Sequence, residues 1–209
     1  MLLLLALALS GCAAPAEKTQ AEKTAAYLMD TVTEPSCGSV GGEWAVIGLA
    51  RAGCAVKDGY FEGYYDRLCE TLRACGGVLD ARKNTEYSRV ILALTAIGKD
   101  PSDVAGYDLL MPLADHEQTL WQGLNGPIWA LIALDAGAYA IPQTVSGTQA
   151  SRARYVQTIL DAQTENGAWG LAAGSEDVDM TAMAAQPIAK QTCENAVNAA
   201  VERLWQRKQ

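Results

Sequence analysis

Two aspartates, Asp177 and Asp179, are the side chains whose spacing is best suited to chemistry. They are separated by one residue and stand at the start of an apolar stretch that is predicted to be helical. Two neighbouring carboxyl groups can share a proton, so that one of them acts as an acid. Carboxylates at a helix start also accept hydrogen bonds from free backbone N–H groups and stabilise the helix dipole. The pair is therefore either a catalytic acid or a helix start, and we favour the helix start.

The composition favours a single all-α domain. Of the 209 residues, 50% are apolar, yet the chain has only one Phe, and Ala, Leu and Gly dominate. Such a composition suits closely packed helices better than sheet. The formal net charge is −8. No basic stripe is present to neutralise phosphates, which argues against a nucleic-acid partner, and the acidic charge disfavours adsorption to an anionic membrane.

The apolar N-terminus predicts a targeting segment. Residues 1–10 are apolar and are followed by Gly11 and Cys12. This stretch is too short to span a bilayer, and it resembles the bacterial lipoprotein signal, which implies cleavage before Cys12 and a lipid anchor on that residue. An ordinary secretory signal is the alternative. We predict a signal peptide over residues 1–11, a tether over 12–23 and a repeat domain over 24–209, held at the extracytoplasmic face of the cell envelope.

The remaining cysteines favour buried thiols over a metal site. Five is an odd number, so at least one cysteine is unpaired, and no CxxC pair occurs. The single histidine cannot supply the converging ligands that zinc requires, so we predict no metal. These residues are Cys37, Cys54, Cys69, Cys75, Cys193 and His116.

Apolar residues at helical spacing, interrupted by Gly, Pro or Asp, predict a chain of helices without strands. Six-residue apolar segments that can be aligned with one another begin at Trp44, Tyr87 and Trp129, with a looser copy at Thr181. A period of roughly 40 to 50 residues is typical of stacked helical hairpins whose apolar member lies inside. The predicted helices span residues 21–33, 43–52, 60–75, 84–97, 101–110, 127–136, 148–163, 180–188 and 193–207.

The loop before Asp177 carries the resemblance to a known family. The segment from Gln163 through Gly167 to Trp169 resembles the Gln…Gly-x-Trp repeat of squalene and oxidosqualene cyclases. The segment from Asp177 to Ala184 is similar to the Asp-x-Asp-Asp-Thr-Ala sequence of class II terpene cyclases. The resemblance implies the α/α toroid of the terpenoid cyclase and protein prenyltransferase superfamily, with Gln163, Gly167 and Trp169 tying an outer helix to an inner one.

The same resemblance implies a proton donor and an aromatic cavity. In class II cyclases the middle acid protonates an alkene, and it corresponds here to Asp179, with Asp177 as its neighbour. The third acid of that motif is replaced by Met180. Aromatic residues that could line the cavity and stabilise a cation are few, and for the two tryptophans at repeat positions 44 and 129 we favour core packing over ligand contact. The cavity candidates are Trp44, Tyr87, Trp121 and Trp129.

Other members of the superfamily suggest binding without catalysis. Extracellular cobalamin carriers contain a segment that resembles residues 177–184 about as well as the cyclase motif does, and this resemblance implies a corrinoid as one candidate ligand. Protein prenyltransferases need an Asp, Cys and His set for zinc, which fits this chain poorly. We therefore favour a bacterial surface lipoprotein with prenyltransferase-like repeats that binds an apolar or bulky ligand or a protein partner, without a cofactor. We count four or five of the six hairpins of a closed toroid and expect a chain truncated at its C-terminal end.

Overall fold

The computed structural model describes residues 18–191 and 193–206, and the predicted all-α class is confirmed over these residues. They contain no β-strand, only two isolated bridges. None of the helices within these ranges is long and apolar enough to cross a membrane. The helices are α1 (Gln20–Thr31), α2 (Gly42–Ala52), α3 (Tyr60–Ala74), α4 (Asn84–Ala96), α5 (His116–Thr119), α6 (Asn125–Ala136), α7 (Arg152–Asp161), α8 (Val178–Lys190) and α9 (Glu194–Gln206).

Four helices form a row, and the others flank it. Helix α2 contacts α4, α4 contacts α6, and α6 contacts α8, so every second α-helix along the chain, counting the four-residue α5, lies beside the next. Helix α1 packs on α2, α7 packs on α6 and α8, and α9 packs on α8. The most extensive contact joins α4 and α6, where Ala93, Ala130 and Ala133 are fully buried. Small side chains at this contact let the two helices approach closely without leaving voids.

One main core lies between the row and its flanking helices. It extends from Val46 on α2 to Ala200 on α9, and it includes the fully buried Tyr64 and Leu68 of α3. A smaller cluster holds α1 in place, with Met29 among its buried side chains. Burying large apolar side chains of this kind stabilises a fold by about 2 kcal/mol each.

The helix predicted over residues 101–110 is wrong. This segment is a series of turns with an antiparallel bridge between Val104 and Tyr107, and Ala105 has a φ of +56°. The side chain of Asp100 accepts hydrogen bonds from the backbone N–H and the hydroxyl of Ser102, and Asp103 accepts one from the N–H of Gly106. Short polar side chains that bond nearby backbone groups compete with helix formation, and here they prevail.

Several helix ends differ from the predicted ones for local reasons. Helix α1 begins at Gln20, inside the segment predicted to be a tether, because Thr19 and Glu22 form a reciprocal capping box. Helix α7 begins later than predicted because Ser151 is its N-cap and accepts from the N–H of Arg154 at 3.1 Å. The proposed signal peptide and Cys12 lie outside the described residues.

The loop between α7 and α8 joins three helices through Gln163 and Trp169. The Gln163 side-chain amide donates to the backbone carbonyl of Gly167 at 3.0 Å and to that of Ala196 on α9 at 2.9 Å. The indole of Trp169 is fully buried, and its N–H donates to the carbonyl of Ile159 on α7 at 2.6 Å. These hydrogen bonds connect the loop to α7 and α9.

Thr181 completes this junction from α8. Its hydroxyl accepts a hydrogen bond from the Trp169 N–H at 3.0 Å, and it lies 3.1 Å from the Trp169 carbonyl and 2.6 Å from that of Asp177. The Asp177 N–H in turn donates to the Trp169 carbonyl at 2.9 Å. The backbone polar groups of the buried tryptophan are thus satisfied where water cannot reach them.

Gly167 is expected to tolerate no side chain. Its φ is +83°, and a Cβ would lie 2.6–2.8 Å from atoms of Ala199, including its backbone, whereas a Cβ at Gly174, with a φ of +73°, meets nothing within 4 Å. We expect Gly167→Ala to lower the free energy of unfolding in urea by roughly 3 kcal/mol, through strain and collision. Gly174→Ala should cost only about 1 kcal/mol, through backbone strain alone. Equal losses in the two variants would contradict the proposed close approach to α9.

Candidate functional site

The row of α2, α4, α6 and α8 has one side that the flanking helices leave uncovered, and we call it the open face. On each helix, residues three or four positions apart share this side and are half-buried or exposed, whereas the opposite side is buried. The residues that define the open face are Trp44, Gly48 and Arg51 on α2, Arg89 and Leu92 on α4, Trp129 and Ile132 on α6, and Met183, Gln186 and Lys190 on α8.

A cleft of about 260 Å³ crosses the open face and touches all four helices of the row. Leu92, Ile132 and Pro187 give it an apolar floor, and charged side chains form its rim. The Asp135 carboxylate at the rim accepts hydrogen bonds from Arg152 at 2.9 Å and Gln191 at 3.0 Å. This acid is held by fixed donors, so the cleft presents apolar surface rather than a free acid to a ligand.

The two repeat tryptophans meet on the open face. The Trp44 and Trp129 ring centroids are 5.7 Å apart, with an interplanar angle of 62°, an edge-to-face pair. Trp44 is 51% exposed and Trp129 is half-buried. The core packing that we favoured for these residues is therefore wrong for Trp44, because its ring lies on the uncovered side of α2 and is half exposed to water.

The other two aromatic candidates lie elsewhere. Tyr87 is only 4% exposed, and its hydroxyl accepts a hydrogen bond from the N–H of Leu79 at 2.9 Å, so it is a core residue. Trp121 is exposed and lies in the short 3₁₀ turn that precedes α6. Of the four residues predicted to line a cavity, the structure brings only Trp44 and Trp129 together.

The two candidate acids have different environments. Asp177 is the N-cap of α8, and its carboxylate accepts from the N–H of Met180 at 2.8 Å, as expected for a helix cap. Asp179 lies one residue into the helix and is exposed to solvent. Its position in the first turn favours its negative charge through the helix dipole. Asp177 therefore serves as the N-cap of α8, and of the two acids Asp179 is the one whose carboxylate is accessible to solvent.

A buried ion pair that the sequence did not single out links α2 to α4. Glu43 is 1% exposed, and its carboxylate accepts from Arg89 at 3.0 Å and from the N–H of Gly38 at 3.0 Å. Arg89 also pairs with Glu86. Burial, together with the nearby Glu43 carboxylate, raises the pKa of the Cys37 thiol to about 12. Glu43 and Arg89 are 46 residues apart in the sequence, so patterns among neighbouring residues cannot predict that they pair.

The five thiols and the histidine that the structure describes do not gather into a group that resembles a metal centre. All five cysteines in the described part of the chain are free; Cys69 is buried as predicted, whereas Cys75 is exposed. Within residues 18–191 and 193–206, no three His, Cys, Asp or Glu side chains converge. His116 is buried with its ring 5.4 Å from that of Tyr155, and its Nδ1 has no hydrogen-bond partner in this part of the chain.

Substitution of the two aspartates should separate capping from surface charge. We expect Asp177→Ala to lower the free energy of unfolding by about 1 kcal/mol, because the cap of α8 is lost. The matched variant Asp179→Ala should cost only about 0.3 kcal/mol, since it removes only a charge–dipole interaction. Urea denaturation followed by circular dichroism measures both values, and a larger loss for Asp179→Ala would contradict the assignment of Asp177 as the cap.

His116 should make the fold sensitive to mild acid. Burial, with a contribution from the Arg154 charge, lowers the pKa of His116, although Glu117 and Asp115 oppose the shift. The unfolded chain therefore binds the proton more readily. Stability is full above the ordinary histidine pKa of about 6.5 and falls as the pH drops from there through the lower folded-state pKa. His116→Phe keeps a ring against Tyr155 and should reduce this slope in urea titrations; an unchanged slope would show that carboxylates alone cause it.

A scan against protein-family models and searches of curated proteins and of solved structures found no match to this chain. The function must therefore be inferred from its own residues, and the open face with its tryptophan pair is the candidate site.

Proposed function

We propose that this chain is an extracytoplasmic lipoprotein whose open face binds an apolar or bulky ligand without catalysing a reaction. The observation that carries the proposal is the Trp44–Trp129 pair, placed on the same side of the row as the apolar cleft at Leu92 and Ile132. Ligand sites are typically lined by aromatic and aliphatic side chains with few polar groups. A cleft of about 260 Å³ would hold one segment of a larger ligand, with the tryptophan rings as a further contact.

The proposal includes an α/α toroid of the terpenoid cyclase and prenyltransferase type, in complete or partial form. Two features support this assignment: the alternation of row and flanking helices, and the hydrogen bonds made by Gln163 and Trp169 between α7, α8 and α9. In such an arrangement the open face would line the inner cavity. Anchoring through a lipid on Cys12 would place this face outside the cytoplasm.

Catalysis by Asp179 is the alternative, as in a remnant of a class II terpene cyclase. Protonation of an alkene needs a strong acid in a site from which water is excluded. Asp179 is exposed, and its neighbour Asp177 is occupied as a helix cap. Both observations favour binding over catalysis.

Tryptophan fluorescence provides a direct test of binding. We expect either the isoprenoid alcohol geranylgeraniol or a corrinoid to quench the tryptophan emission in a saturable manner. Trp44→Ala should weaken binding about tenfold, because an aromatic contact surface is lost. The matched control is Tyr27→Ala, because Tyr27 is an exposed aromatic residue on α1, outside the row. This variant should leave the affinity unchanged.

Two outcomes would contradict the proposal. The first is the absence of saturable binding by either ligand class, which would leave a purely structural role. The second is a cyclised product from squalene or geranylgeranyl diphosphate that disappears in Asp179→Asn, which would instead establish the cyclase alternative.

A further inference from the structure

A second and larger cavity, of about 670 Å³, lies where α4 and α6 end. It is lined by residues that follow these two helices and by the turn segment that replaces the predicted helix over 101–110. It shares none of its lining residues with the cleft on the open face. We call it the terminal cavity, and its polar residues are Thr95, Lys99, Asp100, Ser102, Asp108 and Tyr139.

The hydroxyl groups of the terminal cavity are oriented as acceptors. Thr95 donates its only hydroxyl proton to the carbonyl of Ile91 at 2.7 Å. The Tyr139 hydroxyl, 2.9 Å from the Thr95 oxygen, must therefore be the donor in that contact, which leaves its own lone pairs for other partners. Ser102 likewise donates to Asp100 at 2.8 Å. The hydroxyl protons of Thr95, Tyr139 and Ser102 are thus engaged within the protein. Only the lone pairs of these oxygens remain available to a ligand.

The carboxylates add negative charge to these acceptors. Asp108 accepts from the N–H of Leu110 at 2.8 Å and retains further acceptor capacity. Burial raises the pKa of Asp108, and the negative charge of Asp100 acts in the same direction, although the hydrogen bond from Leu110 opposes the shift. The single ammonium group of the lining, that of Lys99, lies over the ring of Tyr65, 4.7 Å from its centroid.

The helix ends reinforce this negative potential. Helices α4 and α6 have 13 and 12 residues, and both direct their C-terminal ends at the cavity, where Gly98, Tyr139 and Ala140 form part of its wall. The C-terminal end of a helix carries a partial negative charge of about half an elementary charge and favours cations. The carboxylates, the acceptor hydroxyls and the two helix ends therefore all make the electrostatic potential of the terminal cavity more negative.

We propose that the terminal cavity binds a small organic cation, an amine or guanidinium compound with a short apolar body. The cationic N–H groups would donate to Asp100, Asp108 and the Tyr139 hydroxyl oxygen. Leu110 and Pro142 of the same lining would contact the alkyl portion of the ligand. Such charge-assisted hydrogen bonds are stronger than those between neutral groups, which favours an amine over a polyol. This site is independent of the ligand proposed for the open face.

Titration of the isotope-labelled protein with putrescine, monitored by backbone amide resonances, tests the proposal. We expect saturable shifts at Gly98, Ser102 and Leu110. Butanediol, the neutral isostere, and succinate, the anionic one, should produce none. Asp108→Asn should weaken putrescine binding about tenfold, through loss of one charge-assisted contact. Tyr139→Phe, which keeps the ring, should weaken it about threefold, through loss of one neutral acceptor.

The control is Asp161→Asn on α7, whose carboxylate accepts from Gln157 at 2.6 Å and which does not line the cavity. It should bind putrescine as the unaltered chain does. If Asp108→Asn does not fold, Asp100→Asn, at an exposed position, takes its place and should also weaken binding severalfold. Equal binding of butanediol, unchanged affinity in the carboxylate variants, or shifts confined to the surface around Asp179 would each overturn the proposal.

Discussion

The burial of Trp169 is the constraint on which the arrangement of the C-terminal helices depends. An indole and its backbone can be removed from water only if every polar group finds a partner. Here Ile159 of α7 accepts from the indole, while Thr181 of α8 and the N–H of Asp177 satisfy the backbone. These contacts set the rotation of α8 about its axis. They place Met180 and Ala184 in the core and Gln186 on the open face.

The buried pair of Glu43 and Arg89 has a comparable role at the other end of the row. Removal of one member of such a pair leaves an uncompensated charge and typically costs 3 kcal/mol or more. Because successive residues of a helix point about 100° apart, holding Glu43 inward turns Trp44 outward. Arg89 itself lies on the open side of α4, on the same face as Leu92. Its ion pair with the inward-facing Glu43 therefore fixes how α2 and α4 are turned relative to each other.

The open face and the terminal cavity offer different chemistry within one helical array. Aromatic and aliphatic side chains dominate the first, whereas the second combines carboxylates, acceptor hydroxyls and helix C-termini. Fixed donors occupy Asp135 at the first site, and the principal acids of the second remain able to accept. A ligand for one site would thus be a poor ligand for the other.

The sequence by itself determined the helical class and most helix positions, because helical periodicity, glycine stops and capping residues act over a few neighbours. It also identified Asp177 as a helix start.

The sequence failed to predict the turns at residues 101–110, where the side chains of Asp100 and Asp103 compete with the helix in a way that composition alone does not reveal. Only the tertiary structure decided that Trp44 meets Trp129, that Glu43 pairs with Arg89, and that a cavity open to solvent forms where α4 and α6 end. Each of these depends on which face a helix turns towards a neighbour that lies some 40 or more residues away in the chain, and such packing is set by the whole core.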